Sequence, residues 1–262
     1  MLVQRLFSSV QKSLGFTFSL LIYYGLPFHH RILTRIYAPF IRPGELCFDI
    51  GAHLGDRVRA FSKLGARIVA LEPHPEMMNW LRRWYGNRAN ITLLEQAVSA
   101  QPGTADLCIS RLTPSISTIS HQWLTRVRQN RRFARARWDE KIPVPVTTLD
   151  ALIAQYGKPA FCKIDVEGAE LDVLRGLSQP LPALSFEYIP EVMETALGCI
   201  DRLSQLGDYE YNWRVSELPS LRSPVWLSPE EMVIQLRRMP SDGNSGDVYA
   251  RLMPKVISDI PV

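Results

Sequence analysis

The sequence lacks the cysteine and glycine patterns of several common kinds of site. Its four cysteines are scattered over 262 residues without a C-x-x-C pair, which argues against a zinc framework or a disulfide framework. It contains neither the G-x-G-x-x-G fingerprint of dinucleotide sites nor a Gly-Lys-Ser/Thr phosphate-binding loop. We therefore interpret the cysteines as reduced core residues, and sites that hold a diphosphate on a glycine-rich loop are disfavoured.

Long hydrophobic runs and a strong charge of either sign are also missing. The net charge is +4 and the isoelectric point is near 8.9, which does not by itself indicate nucleic acid. Residues 14–28 carry no charge, but this stretch is shorter than the roughly 20 apolar residues that span a bilayer. No A-x-A cleavage site follows it. We expect a helical cap over residues 1–41 of a cytoplasmic protein, with a membrane-surface anchor at 14–28 as the alternative.

Apolar runs alternate with helical patterns along the rest of the chain, which forms one predicted domain over residues 42–262. Runs typical of buried strands lie at about 46–50, 68–71, 91–94, 161–166 and 184–188, and further strand-like runs at 104–110, 144–147, 209–215 and 247–252. This alternation predicts an α/β fold with a parallel, doubly wound sheet. The last two runs predict an antiparallel pair at the sheet edge. Residues 111–141, rich in Ser, Thr and Arg, are interpreted as an insertion.

The most informative stretch is an apolar run that leads through Asp49 into a G-x-x-x-G turn. Glu72 follows Gly51 by 21 residues and ends the next apolar run. In such a strand-turn-helix-strand unit, glycines let the backbone approach an adenosine-type ligand, and the carboxylate accepts hydrogen bonds from ribose hydroxyls. The looser glycine spacing suits a ligand without phosphates, such as S-adenosylmethionine (SAM). A tight turn alone explains the glycines, but not their combination with Asp49 and Glu72.

A second group of charges lies in the run that begins at Phe161. Alternation along a strand places Lys163, Asp165 and Glu167 on one face, near the end of the strand where ligands bind in open α/β sheets. Three charges there are costly unless they are used or paired. A structural salt bridge at Lys163 is the alternative for that residue.

These two runs, together with Glu72-Pro73 and Thr148-Leu149-Asp150, make residues 45–190 resemble the FkbM family of SAM-dependent methyltransferases. The resemblance implies the class I methyltransferase fold, which is Rossmann-like with a mostly parallel, doubly wound seven-stranded sheet and an antiparallel edge strand. It also implies SAM as the donor and O-methylation of a hydroxyl on a sugar, glycan or natural product. One departure is His53, where the family usually has Asn.

The resemblance also implies site residues. The turn at the methionine moiety comprises Asp49, Gly51, Ala52, His53 and Gly55; Glu72 and Pro73 lie at the ribose, and Glu95, Gln96 and Ala97 at the adenine. Asp165 and Glu167 fall beside the methyl group, where one of them would act as base. Lys163 would orient that carboxylate, or act as base itself if burial lowers its pKa. His53 and His121 are rival bases, and no metal is assigned.

Two segments before the second run suggest an acceptor site. Residues 115–120 are placed for a substrate loop. Six arginines within 126–137 predict either a solvated helix face or a lid for an anionic acceptor.

An RNA methyltransferase is the alternative function, although no N-P-P-Y or D-P-P-Y tetrad is present. A NAD-dependent oxidoreductase is disfavoured by the missing fingerprint, and an inactive binding protein by the intact Asp165 and Glu167. The sequence indicates neither the acceptor nor the oligomeric state.

Overall fold

The computed structural model describes residues 29–110, 113–128, 133, 136–216, 218 and 220–254. The predicted membrane-surface segment, 14–28, lies outside the described residues. So do three of the six arginines of the insertion, Arg131, Arg132 and Arg135. The division into a cap and one domain therefore stays a prediction.

Helices and strands alternate over most of the described chain. The first half contains α1 (His29–Tyr37), β1 (Leu46–Ile50), α2 (Asp56–Lys63), β2 (Arg67–Leu71), α3 (Pro75–Tyr85), β3 (Ile91–Leu94), β4 (Ala97–Val98), β5 (Gly103–Ser110) and α4 (His121–Val127). The second half contains β6 (Trp138–Thr147), α5 (Leu149–Tyr156), β7 (Phe161–Ile164), α6 (Glu170–Arg175), β8 (Ala183–Tyr188), α7 (Met193–Leu206), β9 (Tyr209–Val215), α8 (Pro229–Arg237) and β10 (Gly246–Leu252).

The main sheet has seven strands in the order β3-β2-β1-β7-β8-β10-β9. All its pairs are parallel except those of β10, which runs antiparallel to both β8 and β9. The predicted fold class is confirmed, including the antiparallel pair at one edge; β9 forms the edge itself and β10 lies one strand inside it. The strand order reverses between β1 and β7, which is where ligands bind in open α/β sheets.

A second, three-stranded sheet, β4-β6-β5, flanks the main one. Its long antiparallel pair joins β5 to β6, with Gly103 opposite Val146 and Ser110 opposite Trp138. The predicted insertion therefore ends about four residues earlier than expected, because residues 138–141 belong to β6. After β5, Thr118 pairs back with Cys108 in an isolated antiparallel bridge.

The first helix covers one face of the main sheet. Leu33 and Tyr37 of α1 are fully buried, and the Tyr37 ring lies 4.9 Å from that of Phe61 and 5.3 Å from that of Phe161. Edge-to-face contacts of this kind stabilise a core beyond the area that they bury. Within the described ranges, none of the helices has the length and apolar character needed to cross a bilayer.

Candidate active site

A cleft of about 860 Å³, part of it open to solvent, lies over the carboxyl ends of β1, β2 and β7. The main sheet forms its floor, and the segment that follows β5 forms its opposite wall. The lining includes eleven of the predicted site residues: Asp49, Gly51, Ala52, His53, Glu72, Pro73, Gln96, Ala97, Lys163, Asp165 and Glu167.

The glycine turn after β1 is wedged between two neighbouring strands. The amides of Gly51 and Ala52 both donate to the carbonyl of Leu71, each at 2.9 Å. Gly51 has a φ of 86°, and a Cβ added there would lie 1.8 Å from the carbonyl oxygen of Asp165. Only glycine permits both this backbone conformation and this close approach. The turn thus presents bare backbone to the cleft.

Glu72 connects the end of β2 to that turn. One carboxylate oxygen accepts from the amide of His53 at 2.7 Å, and the other accepts from the amide of His74 at 2.8 Å. Burial raises the pKa of Glu72 to about 7, although these two hydrogen bonds act to lower it. Each oxygen keeps a second lone pair. The carboxylate is therefore held rigidly at the cleft wall with acceptor capacity to spare.

His53 occupies a position that demands an unusual backbone. Its φ is 47°, in the left-handed region where Asn, Asp and His are enriched among non-glycine residues. The family's usual Asn and this chain's His53 thus satisfy the same backbone requirement. Burial lowers the pKa of His53 to about 4, which keeps the imidazole neutral. The other rival base, His121, is exposed at the start of α4 and does not line the cleft.

Asp49, which precedes the glycine turn, is almost fully buried at the end of β1. Its Oδ2 atom has no hydrogen-bond partner among the described residues. Burial, and next the nearby Asp56 carboxylate, raise the pKa of Asp49 to about 7. Asp56 itself is paired with Arg57, and both line the cleft. A buried acceptor without a partner is costly, so Asp49 is a place where a ligand donor would be stabilising.

The turn after β7 places the second pair of predicted acids. The strand ends at Ile164, two residues earlier than expected, so strand alternation does not bring Glu167 to the cleft. Instead, Glu167 has a φ of 55°, an uncommon conformation that the surroundings must hold in place. The amides of Val166 and Gly168 both donate to a Glu170 carboxylate oxygen at 3.1 Å. The hydroxyl of Thr118 donates to the Glu167 carbonyl at 2.9 Å.

Lys163 lies beneath this turn and is fully buried. Its Nζ atom lies 2.6 Å from Oδ1 of Asp247 and 3.3 Å from Oδ2 of Asp165. Burial acts to lower the pKa of Lys163, but the carboxylates of Asp165 and Asp247 outweigh it and raise the pKa above its ordinary value. Lys163 is therefore held as a cation, which favours the orienting role over that of a base. Sequence reasoning missed Asp247, which lies 84 residues further along the chain.

Three carboxylates meet where β7 and β8 end. Oxygen atoms of Asp165, Glu167 and Glu187 all lie within 4.8 Å of one another. Burial, followed by the charges of Glu167 and Asp165, raises the pKa of Glu187 well above its usual range. Of the side chains that the structure describes, these three have the spacing that a cation would need, at a place where the sequence predicts no metal.

Two predicted residues do not line the cleft. Glu95 lies in the connection between β3 and β4, and its carboxylate pairs with Arg82 at 2.7 Å, so its adenine assignment is not supported by its position. Gly55 is the N-cap residue of α2 and lies outside the lining of the cleft.

The predicted substrate loop does reach the cleft, through Ser115, Ser117, Thr118 and Ile119. Sequence reasoning missed Asp56 and Arg57, although an acid beside a base directly after the turn was a visible signal.

The cleft is acidic. Its lining contains five carboxylates, Asp49, Asp56, Glu72, Asp165 and Glu167, and two cationic side chains, Arg57 and Lys163. The arginines of the insertion that the structure describes, Arg126, Arg128 and Arg137, are exposed and do not line it. A cleft of this charge favours a ligand that carries positive charge.

The strand order with antiparallel β10, the glycine turn and the acid that follows β2 together define a Rossmann-like methyltransferase fold of class I. The family model described as "Methyltransferase FkbM domain" matches residues 49–200, which is more than half of the chain. The chain belongs to this methyltransferase family, as the resemblance predicted.

Solved structures similar to this one share little sequence with it. They include an O-methyltransferase from Bacillus cereus in complex with SAH, with 11% identity and a TM-score of 0.43 over 94% of this chain and 90% of that one. A TehB-like SAM-dependent methyltransferase from Corynebacterium glutamicum has 9% identity and a TM-score of 0.45 over 94% and 99%. A precorrin-6y C5,15-methyltransferase from Geobacter metallireducens has 14% identity and a TM-score of 0.43 over 86% and 87%. A comparison with curated protein sequences found no match.

Proposed function

We propose that this protein transfers a methyl group from SAM to a hydroxyl of a sugar, glycan or natural-product acceptor. Membership of the methyltransferase family establishes the coarser class, and with it SAM as the cofactor predicted from the sequence. The observation that carries the proposal is the acidic cleft around a glycine turn, with Asp49 and Glu72 buried in its wall. SAM has a positively charged sulfur, and such a cleft suits a cation better than it suits a dinucleotide.

The described residues fit this cofactor. Backbone of the glycine turn would lie against the methionine moiety, where Oδ2 of Asp49, which has no partner in the described part of the chain, offers an acceptor. Glu72 would accept from ribose hydroxyls with its remaining lone pairs, and Gln96 and Ala97 would lie at the adenine. When bound, SAM supplies a methyl group that is already activated by its sulfonium charge.

The chain's own residues would align the acceptor, exclude water and accept the proton of its hydroxyl. Alignment of the hydroxyl with the methyl group and exclusion of water can offset about 7–11 kcal/mol of barrier. A hydroxyl is a poor nucleophile, so Asp165 or Glu167 would accept its proton during attack. Lys163, held as a cation, would orient the Asp165 carboxylate through their contact at 3.3 Å. The hydrogen bonds from Thr118 and to Glu170 would hold the turn that carries both acids.

The wall opposite these acids suggests the chemistry of the acceptor. Ser115 and Ser117 line the cleft, and their hydroxyl groups would hydrogen-bond well to the hydroxyls of a sugar. An anionic group on the acceptor would have to lie away from the five carboxylates. The arginine lid that would hold it lies partly outside the described residues and stays a prediction. A cytoplasmic location and a membrane-surface role for residues 14–28 also stay predictions.

Calorimetric titration with SAM, S-adenosylhomocysteine (SAH) and NAD in parallel tests the cofactor. We expect SAM and SAH to bind and NAD to give no heat, because the diphosphate of NAD would face the acidic cleft without a phosphate-binding loop. Binding of NAD without binding of SAM would overturn the proposal in favour of the oxidoreductase alternative.

Replacement of Glu72 by Ala is expected to raise the dissociation constant of SAM about 5- to 150-fold. The loss corresponds to roughly 1–3 kcal/mol for a charged hydrogen bond. Glu95→Ala is the matched control, since Glu95 was assigned to the same ligand but pairs with Arg82 outside the cleft. It should change SAM affinity less than about twofold. Circular dichroism must show that the Glu72 variant is folded, and equal weakening in the two variants would refute the assignment.

A further inference from the structure

A buried chain of charges extends from the cleft floor away from the ligand, beyond what the proposed transfer uses. Asp247 accepts from Nζ of Lys163 at 2.6 Å and from Nη2 of Arg214 at 2.7 Å. Lys163 and Arg214 are fully buried, and Asp247 is 4% exposed. Together with Asp165 at the cleft, charges of alternating sign follow one another: Asp165, Lys163, Asp247, Arg214.

The topology of the sheet edge brings these residues together. Because β10 is inserted antiparallel between β8 and β9, Asp247 lies directly opposite Glu187 on one side and Arg214 on the other. Lys163 lies opposite Ser185, two residues before Glu187 on β8. Alternation along β8 therefore places all of these side chains on the same face of the sheet. Lys163 reaches across β8 to Asp247.

Lys163 has two carboxylate partners on different sides. The closer is Asp247, which lies away from the cleft, and the more distant is Asp165, which lines it. Burial acts to raise the pKa of Asp247, but Lys163 and Arg214 outweigh it and hold the pKa far below its usual range. Asp247 therefore stays ionised and competes with Asp165 for the charge of Lys163.

We propose that Asp247 is a positioning residue that shares the charge of Lys163, so that Asp165, whose carboxylate lies 3.3 Å from Nζ, is only partly neutralised and keeps negative charge for the sulfonium of SAM. This inference rests on the proposed function. SAM and its product SAH differ by one methyl group and one positive charge, and the anchoring of Lys163 would let the cleft favour the charged substrate over the neutral product. Asp247 would act through Lys163 and touch neither ligand.

The test is the ratio of the dissociation constants of SAM and SAH, which needs no acceptor. In Asp247→Asn, Lys163 keeps Asp165 as its carboxylate partner and neutralises it. We expect SAM binding to weaken about tenfold or more while SAH binding changes less than about twofold, because only SAM carries the charge that Asp165 attracts. Calorimetry at neutral pH measures both constants on the full chain.

Two further variants separate positioning from stability. Arg214→Gln leaves the contact between Lys163 and Asp247 in place, so the ratio should stay at its wild-type value even if the melting temperature falls. The double variant Asp247→Asn, Arg214→Gln removes the anchor together with the buried cation that faces it, so it should be more stable than Asp247→Asn and still show the shifted ratio. It also serves if the single variant does not fold.

Two results would overturn the inference. One is equal weakening of SAM and SAH in the variants that lack the Asp247 carboxylate; the other is a ratio that follows the melting temperature across all three variants. Failure of the wild-type protein to bind either SAM or SAH is a different result, because it would refute the proposed function itself.

Discussion

Gly51→Ala is expected to weaken SAM binding more than about 100-fold. The new Cβ would lie 1.8 Å from the carbonyl oxygen of Asp165, which is backbone and has no free rotation with which to move away. The new alanine would also be held at a φ of 86°, a backbone conformation that costs roughly 1–3 kcal/mol for a residue with a Cβ atom. Relief of the contact must separate the glycine turn from the turn that carries Asp165, and these turns form two walls of the cleft.

Gly44→Ala is the matched control for this variant. Gly44 has a φ of 83°, almost the same as that of Gly51, but no atom of the described residues lies within 4 Å of the Cβ position. It should therefore lose stability through backbone strain alone and bind SAM with its wild-type affinity. Thermal unfolding and calorimetry on both variants separate strain from close approach. Equal SAM affinities in the two variants would show that the contact with Asp165 is not what shapes the site.

Removal of charge from the base is expected to lower methyl transfer by about 100-fold or more. Asp165→Asn and Glu167→Gln preserve the shape of the side chains, and the base is the residue whose variant shows this loss while the protein stays folded. Transfer of a radiolabelled methyl group from SAM to acceptors in a fractionated cell extract measures it. Asp172→Asn, an exposed carboxylate on α6 that pairs with Arg175, is the control and should retain its rate. Wild-type rates in both variants would place the base elsewhere, with His53 the next residue to test.

Local sequence was enough for the features that depend on short stretches of chain. The buried strands β1 and β2, the glycine turn and Glu72 all follow from apolar runs, a G-x-x-x-G spacing and an acid at a strand end. The motif around Lys163 and Asp165 identified the family, because its residue types and register are specific. His53 departs from the usual Asn without disturbing this pattern, since the left-handed backbone at that position accepts either residue.

The sequence was less reliable where the chain leaves a strand. It predicted that β7 continues to Val166, and alternation along that strand was the reason for placing Glu167 in the cleft. The strand ends at Ile164, and Glu167 reaches the cleft through a strained turn held by Thr118 and Glu170. Glu95 shows the opposite case, because the connection after β3 turns it towards Arg82.

The sequence by itself determined the fold class, the family and most of the residues of the cleft, since each of these follows from short-range patterns that the chain must satisfy locally. Only the tertiary structure decided which charges are paired. Lys163 meets Asp247 and Asp247 meets Arg214 because an antiparallel strand from the end of the chain is inserted beside β8. Partners separated by 84 residues leave no periodic signal, and their pairing is decided by the register of strands in the assembled sheet.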